Sequence, residues 1–334
     1  MIRPKGMPGM YDLKKIWNPS WFQGNRARKD YFEGWYFKQV SPDGAHSMAF
    51  IPGISLAAGD AHAFVQAIDG KTGQTWYFRY QPEEFAWSRH GFSVRVGEST
   101  FSRSHIELDL AGRNSRIRGR IGFSGQQTYR TSLVRPGIMG WYRYMPFMEC
   151  YHGVVSMDHE LDGKLSFDGR EVDFSRGRGY IEKDWGSSMP KAWIWMQTNH
   201  FDQSGTSFML SVADIPWIGR SFTGFLGYFL HDGRRHDFAT WTGAGIHHID
   251  NTREKTIVHI RGRGVSLQVT GRKNLSGTLM APQKGAMQRI IHESVDAEIH
   301  IRLIDLNGHT LFDGWGRNAG FELVGDMDIL KSRF

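Results

Sequence analysis

The chain has a single cysteine, Cys150, so it carries no intramolecular disulfide framework and no cysteine-built zinc cluster. Long apolar runs are missing as well: nowhere do about 18 apolar residues follow one another, and no transmembrane helix is expected. The basic N-terminus lacks the continuous apolar core and small-residue cleavage site of a signal peptide, which makes a reducing, cytoplasmic setting the expectation. Charge runs are also absent. Lys and Arg exceed Asp and Glu by 41 to 34, but they are scattered, and short Arg-Gly pieces such as Arg116–Arg120 and Arg261–Arg263 sit inside strand-like stretches. Nucleic acid is therefore not an expected partner, whereas a mildly basic surface suits peripheral contact with anionic lipid headgroups. No phosphate-binding Gly-x-x-x-x-Gly-Lys-Ser/Thr loop, no Gly-x-Gly-x-x-Gly turn, no Gly-x-Ser-x-Gly elbow and no His-Glu-x-x-His pair occurs. Nucleotide binding, serine hydrolysis and zincin chemistry have no support.

What the chain does have is aromatic side chains and glycine. Phe, Trp and Tyr make up 13% of the 334 residues, enough for a sizeable core, and 40 glycines punctuate short apolar runs. Strand-like segments recur about every ten residues: 31–40, 47–51, 61–68, 75–80, 93–96, 104–110, 116–123 and 128–134 in the first half. The second half repeats the style from 192–200 to 320–324. Helical spacing is confined to 12–17 and the C-terminus. The expectation is an all-β protein of two similar antiparallel domains, each a barrel or a sandwich, with an N-terminal arm over 1–20, one domain over 21–170 and a second over 171–334.

The richest stretch runs from Gly179 to Phe201. It sets Glu182, Lys183 and Asp184 beside Trp185, then brings Trp193, Trp195, Gln197 and Asn199 along a strand. An apolar wall raises a carboxyl pKa, and a proton donor at neutral pH needs that shift; indole faces stabilise a developing cation. The bland alternative is that the indoles fill a core and the charges sit in a turn. His152 and His159, with Asp158 and Glu160 nearby, are a candidate ligand set. Seven residues along a strand nevertheless put the two imidazoles on opposite faces, so no metal site is expected. Glu33 opens an aromatic strand, where a carboxylate is either at an exposed edge or buried and paired.

Several segments together resemble the tocopherol cyclase family. They are Phe32-Glu33-Gly34-Trp35-Tyr36-Phe37, Pro146-Phe147-Met148-Glu149-Cys150, Ser156-Met157-Asp158-His159, Glu182-Lys183-Asp184-Trp185-Gly186, Trp193-x-Trp195-x-Gln197-x-Asn199 and the piece from Gly277 to Pro282. Asp184 stands where the plant members of the family have asparagine. The resemblance implies a pair of lipocalin-like barrels, distantly similar to carotenoid hydratases, and closure of a chromanol ring from a prenylated quinol without a redox cofactor. In that reading Asp184 or Glu182 is the acid and His152 or Asp158 its partner. Trp35, Trp185, Trp193 and Trp195 form the wall, Gln197 and Asn199 orient the quinol hydroxyls, and Glu33, Glu149 and His159 complete the binding set. A non-catalytic carrier of a hydrophobic ligand and an alkene hydratase are the alternatives. The discriminating feature is whether buried carboxylates face the cavity.

Overall fold

The computed structural model describes residues 14–25, 28–146 and 148–331, so most of the expected arm, with Asp12 and Leu13 of the expected first helix, and Phe147 lie outside the described residues. Two antiparallel sheets account for the molecule. The first holds β1 (Phe32–Val40), β2 (Ser47–Ser55), β3 (His62–Asp69), β4 (Thr75–Tyr80), β5 (Phe85–Trp87), β6 (Ser93–Val96), β7 (Ser99–Ser102), β8 (His105–Ala111), β9 (Arg116–Gln127), β10 (Cys150–Phe167), β11 (Arg170–Asp173) and β12 (Arg178–Gly186). The second holds β13 (Trp193–Thr198), β14 (Ser207–Trp217), β15 (Arg220–His231), β16 (Arg234–Ala239), β17 (Gly245–Asn251), β18 (Thr256–Arg261), β19 (Val265–Arg272), β20 (Gly277–Gln283), β21 (Ala286–Asp305) and β22 (Thr310–Val324). A short C-terminal helix, α1 (Met327–Lys331), follows. Each sheet curls around its own apolar core.

The burial pattern of each strand reports what covers it. In β8 and β19 buried and more open positions alternate, the mark of one face on a core and the other in water. In β1 only Gly34 is not fully buried, and in β13 every residue is buried. Such strands have both faces covered. Odd positions of β1, Trp35 and Phe37, enter the first core; Tyr36 on the even face packs with Trp195 of β13 in a third cluster between the barrels. That face-to-face contact explains why these two segments read as unbroken aromatic runs.

β12 inserts between β1 and β10, pairing Glu33 with Trp185 and His152 with Asp184. The passage between sheets therefore falls at 187–192, not at 170, because 171–186 completes the first sheet. The expected strand at 128–134 is absent. Residues 128–146 instead form a strap that crosses to the second barrel, where Trp241 donates its indole N–H to the Ile138 carbonyl at 2.9 Å.

Candidate active site

An apolar cavity lies between the barrels rather than inside either. β1 supplies Gly34 and Tyr36, β10 supplies Cys150 and His152, and β12 supplies Glu182 and Asp184. From across the gap come Trp193 and Trp195 of β13, Leu279 to Pro282 of β20, Glu293 of β21 and Glu322 of β22. Its volume is about 180 Å³, and it shares Met139, Met148, Ile215 and Leu226 with a second hollow of about 70 Å³ under the strap. The two make one apolar groove with an acidic floor.

Strand alternation decides who takes part. On β12, Glu182 and Asp184 point to the groove while Lys183 and Trp185 point into the first barrel. On β13, Trp193 and Trp195 face the groove while Ile194 and Met196 enter the second core. His152 links two carboxylates: Nδ1 donates to Asp184 Oδ1 at 2.9 Å, and Nε2 lies 3.4 Å from Glu182 Oε2, an ion-pair distance off the line of a good hydrogen bond. Burial pulls the imidazole down, but the Asp184 and Glu182 charges outweigh it and hold the pKa at about 10. Glu182 Oε2 also accepts from Tyr180 Oη at 2.6 Å and from Trp195 Nε1 at 3.3 Å.

Opposite this trio sits a second acidic pair. Glu293 and Glu322 are cross-strand partners on β21 and β22. Tyr36 Oη donates to Glu293 Oε1 at 2.5 Å, and Trp193 Nε1 donates to Glu322 Oε2 at 2.5 Å. Burial, then the facing Glu322 charge, pushes Glu293 well above the usual carboxylate range. Burial also lifts Glu322 to about 7, with the Trp193 indole and Lys273 opposing and the Asp184 and Glu182 charges adding to the rise. Two close carboxyls in an apolar setting do not both ionise, so the pair holds a proton near neutrality. Behind it the buried Lys38 ammonium donates to the Asn318 carbonyl at 2.9 Å, and burial lowers it to about 7.

Of the residues singled out from sequence, the fold brings together His152, Glu182, Asp184, Trp193 and Trp195. It turns the others away. Glu33 lies inside the first barrel, 2.5 Å from Lys183 Nζ, and takes the Gln23 and Gly24 amides. Trp35 and Trp185 are core indoles there, Trp35 donating to the Ser20 carbonyl and Trp185 stacking on Tyr151. Asp158 is bound by Arg178 and by Asn199 Nδ2, the latter at 2.8 Å, which takes both Asp158 and Asn199 out of the site. His159 packs against Phe123 with Nδ1 on Ser156, its pKa lowered to about 3 by burial. Glu149 is exposed and contributes only its carbonyl, which accepts the Ser187 amide. Gln197 is buried between the barrels with neither amide atom hydrogen-bonded, beyond the cavity lining.

The acids that sequence reasoning missed are Glu293 and Glu322. Each stands in an apolar strand segment, Ile-Ile-His-Glu-Ser-Val and Gly-Phe-Glu-Leu-Val, the same signal that drew attention to Glu33. Their pairing depends on the β21–β22 register, which no local pattern reveals. His152, Glu182 and Asp184 bring ligand atoms within 4.8 Å of one another, a spacing that suits a metal ion. Protonated, His152 is the ion-pair partner of both acids, and it could ligate a metal only after losing that proton.

A family model for tocopherol cyclase-like proteins matches residues 111–325, a span that contains all the cavity carboxylates, His152, Trp193 and Trp195. A probable chloroplastic tocopherol cyclase of Oryza sativa subsp. japonica and a chloroplastic tocopherol cyclase of Zea mays are each 28% identical over 109 residues. That is 31% of this chain, and the chain covers 23% of each relative's length. Among solved structures, CghA with Sch210972 aligns at a TM-score of 0.55 and 12% identity, covering 88% of this chain and 89% of that one. Kievitone hydratase from Nectria haematococca aligns at 0.52 and 9% identity, covering 96% and 94%. These two likenesses are of fold. With well over half of its length matched by the family model, the chain belongs to the tocopherol cyclase-like family.

Proposed function

We propose that the protein is an acid-catalysed cyclase that closes a chromanol ring on a prenylated quinol or a related isoprenoid lipid. The observation that carries this reading is the Glu293–Glu322 pair, two carboxyls facing each other across β21 and β22 on an apolar, tryptophan-walled cavity. A carboxyl that keeps its proton near neutral pH is the group such chemistry needs. Glu182 and Asp184 are instead engaged by His152, which lies within ion-pair distance of both.

In the proposed reaction the pair gives its O–H proton to one carbon of the prenyl double bond. A C–H bond forms and the positive charge falls on the tertiary carbon, against the faces of Trp193 and Trp195. The quinol oxygen attacks that carbon, the C–O bond closes the ring, and the phenolic proton passes to the Glu182–Asp184 side. Product and substrate are isomers, so no oxidant or reductant enters the balance. Folding the prenyl chain in the groove removes much of the entropic barrier. A carrier would gain nothing from four carboxylates in an apolar cavity, where each is expensive to desolvate.

The test is turnover of a dimethyl-phytylbenzoquinol under reducing conditions, with product mass and handedness analysed. Wild type is expected to yield one chromanol enantiomer. Glu322→Gln and Glu293→Gln are expected to lose activity by about 100-fold or more, the usual worth of a general acid. Asp184→Asn is expected to keep measurable turnover. If Asp184→Asn alone abolishes the reaction, the acid is Asp184. A quinol bound but unchanged would restore the carrier reading, and a water adduct the hydratase reading.

A further inference from the structure

The strap at 128–146 exposes apolar side chains that the fold itself does not use. Its Ser132–Arg135 turn, closed by mutual backbone hydrogen bonds, carries Leu133 and Val134 at 75% and 84% exposure. Tyr144 hydroxyl donates to the Leu133 carbonyl, and Trp141 stacks on Tyr142, which in turn meets Trp217 of β14 edge-on. Next to Trp217, at the tip of the β14–β15 hairpin, is Ile218, 80% exposed. Ile218 and Gly219 have φ of +43° and +73°, the two-residue hairpin turn that favours Asn-Gly. A β-branched residue there is strained. An isoleucine that is both strained and exposed returns nothing to the fold.

Beside this apolar edge is a strongly basic hollow. Arg135, Arg234, Arg235 and Arg263 line it together with Trp241. Its carboxylate, Asp237, is already taken by Arg135 at 2.6 Å and Arg235 at 2.8 Å. Arg234 and Arg263 are exposed and meet no carboxylate among the described residues. Arg135 also lies over the Trp241 ring, and Trp241 lines the apolar hollow under the strap as well. An apolar edge, an aromatic belt and an anion-seeking pocket thus adjoin the groove that leads to the acids.

We propose that this face docks the protein on an anionic lipid bilayer. The Leu133, Val134 and Ile218 tips enter the interface, and the arginine pocket takes a lipid phosphate. This does not depend on ring closure, since a carrier would draw its ligand from the same source, and vesicle binding is read without turnover.

The experiment is co-sedimentation of the full chain with vesicles of phosphatidylcholine alone and of phosphatidylcholine mixed with phosphatidylglycerol. Binding is expected to the mixed vesicles and to weaken as salt is raised. Arg234→Ala with Arg263→Ala should lower the partition about 30-fold, about five- to sixfold for each arginine. Ile218→Asn suits the turn, so it should unfold no earlier than wild type and yet bind vesicles several-fold more weakly; Leu133→Ser with Val134→Ser should do the same more strongly. The proposal is overturned if wild type stays in the supernatant with both vesicle types. It is also overturned if the tip variants bind like wild type, or if the arginine pocket answers only to inorganic phosphate.

Discussion

Glu322, a proton donor in the proposed reaction, costs the fold stability. Its ordinary value of 4.5 rises to about 7 in the folded chain. The native state therefore binds this proton more tightly than the unfolded state. The stability it lends is present below about 4.5 and is lost as pH rises through about 7. Above that range the ionised carboxylate carries a penalty of at most roughly 3 kcal/mol. Glu322→Gln keeps an acceptor for the Trp193 indole and removes the charge, so it should be as stable as wild type near pH 4.5 and more stable near pH 8, while turnover falls. Urea unfolding at the two pH values measures the gap; a gap that stays constant would mean that the carboxyl is not destabilised as described. His152 is linked to pH in the same sense, over a higher range. Held at about 10 against an ordinary 6.5, it contributes stability that is complete below about 6.5 and fades as pH rises through about 10.

At the scale of the element, β12 serves two sites from its two faces. Glu182 and Asp184 enter the groove, and Lys183 between them enters the first barrel to meet Glu33. Neither Lys183 nor Glu33 is solvent-exposed, and Lys183 also donates to the Pro19 carbonyl at 2.9 Å and to that of Trp21. The strand that presents the cavity acids is thereby pinned to the N-terminal segment. Lys183→Met leaves the Glu33 charge buried with its neutral donors only, and should cost about 3–5 kcal/mol. Adding Glu33→Gln removes that stranded charge, so the double variant should be more stable than Lys183→Met alone. Guanidinium unfolding of the four-member cycle checks this, and strictly additive effects would sink the idea.

The whole molecule makes the site, because neither barrel contains it. Each sheet has its own core, and the third apolar cluster, with Tyr36 and Trp195 at its centre, needs both. Ser47 and Ser55 hydroxyls donate to the Val295 and Gly285 carbonyls, and the Gln66 side chain both donates to and accepts from the Met280 backbone. Tyr36 of the first barrel reaches Glu293 of the second. Chains divided within 187–192 and produced separately should therefore show no quinol binding. Co-expression should restore binding, and turnover with it. Wild-type affinity in the first half alone would place the ligand inside that barrel and overturn the interbarrel site.

Local pattern was enough for the strands themselves. The segment 75–80 matches β4 and 93–96 matches β6 to the residue, because β-branched and aromatic residues bounded by turn formers describe a strand wherever it lies. The short strands 85–87, 99–102 and 245–251 were not legible, and 128–134 satisfied the same pattern yet became the strap. His152 and His159 do look opposite ways, as alternation expects, because the two register shifts of β10 between them cancel in their effect on facing. Alternation could not say which way is the groove, since period two fixes relative faces only. That choice came from packing: the even face of β1 and the Trp193–Trp195 face of β13 are covered by each other. Trp35 and Trp185 were legible as buried and Glu33 only as either edge-exposed or buried and paired, but the core they belong to was not. Glu293 and Glu322 became a pair only through β21–β22 register, and their proton is held by the low polarity of a cleft that exists once two barrels close on it. Composition and periodicity thus determined an all-β chain rich in aromatic strands. The tertiary structure decided which acids meet, because proximity and desolvation are properties of the assembled surfaces and not of any one strand.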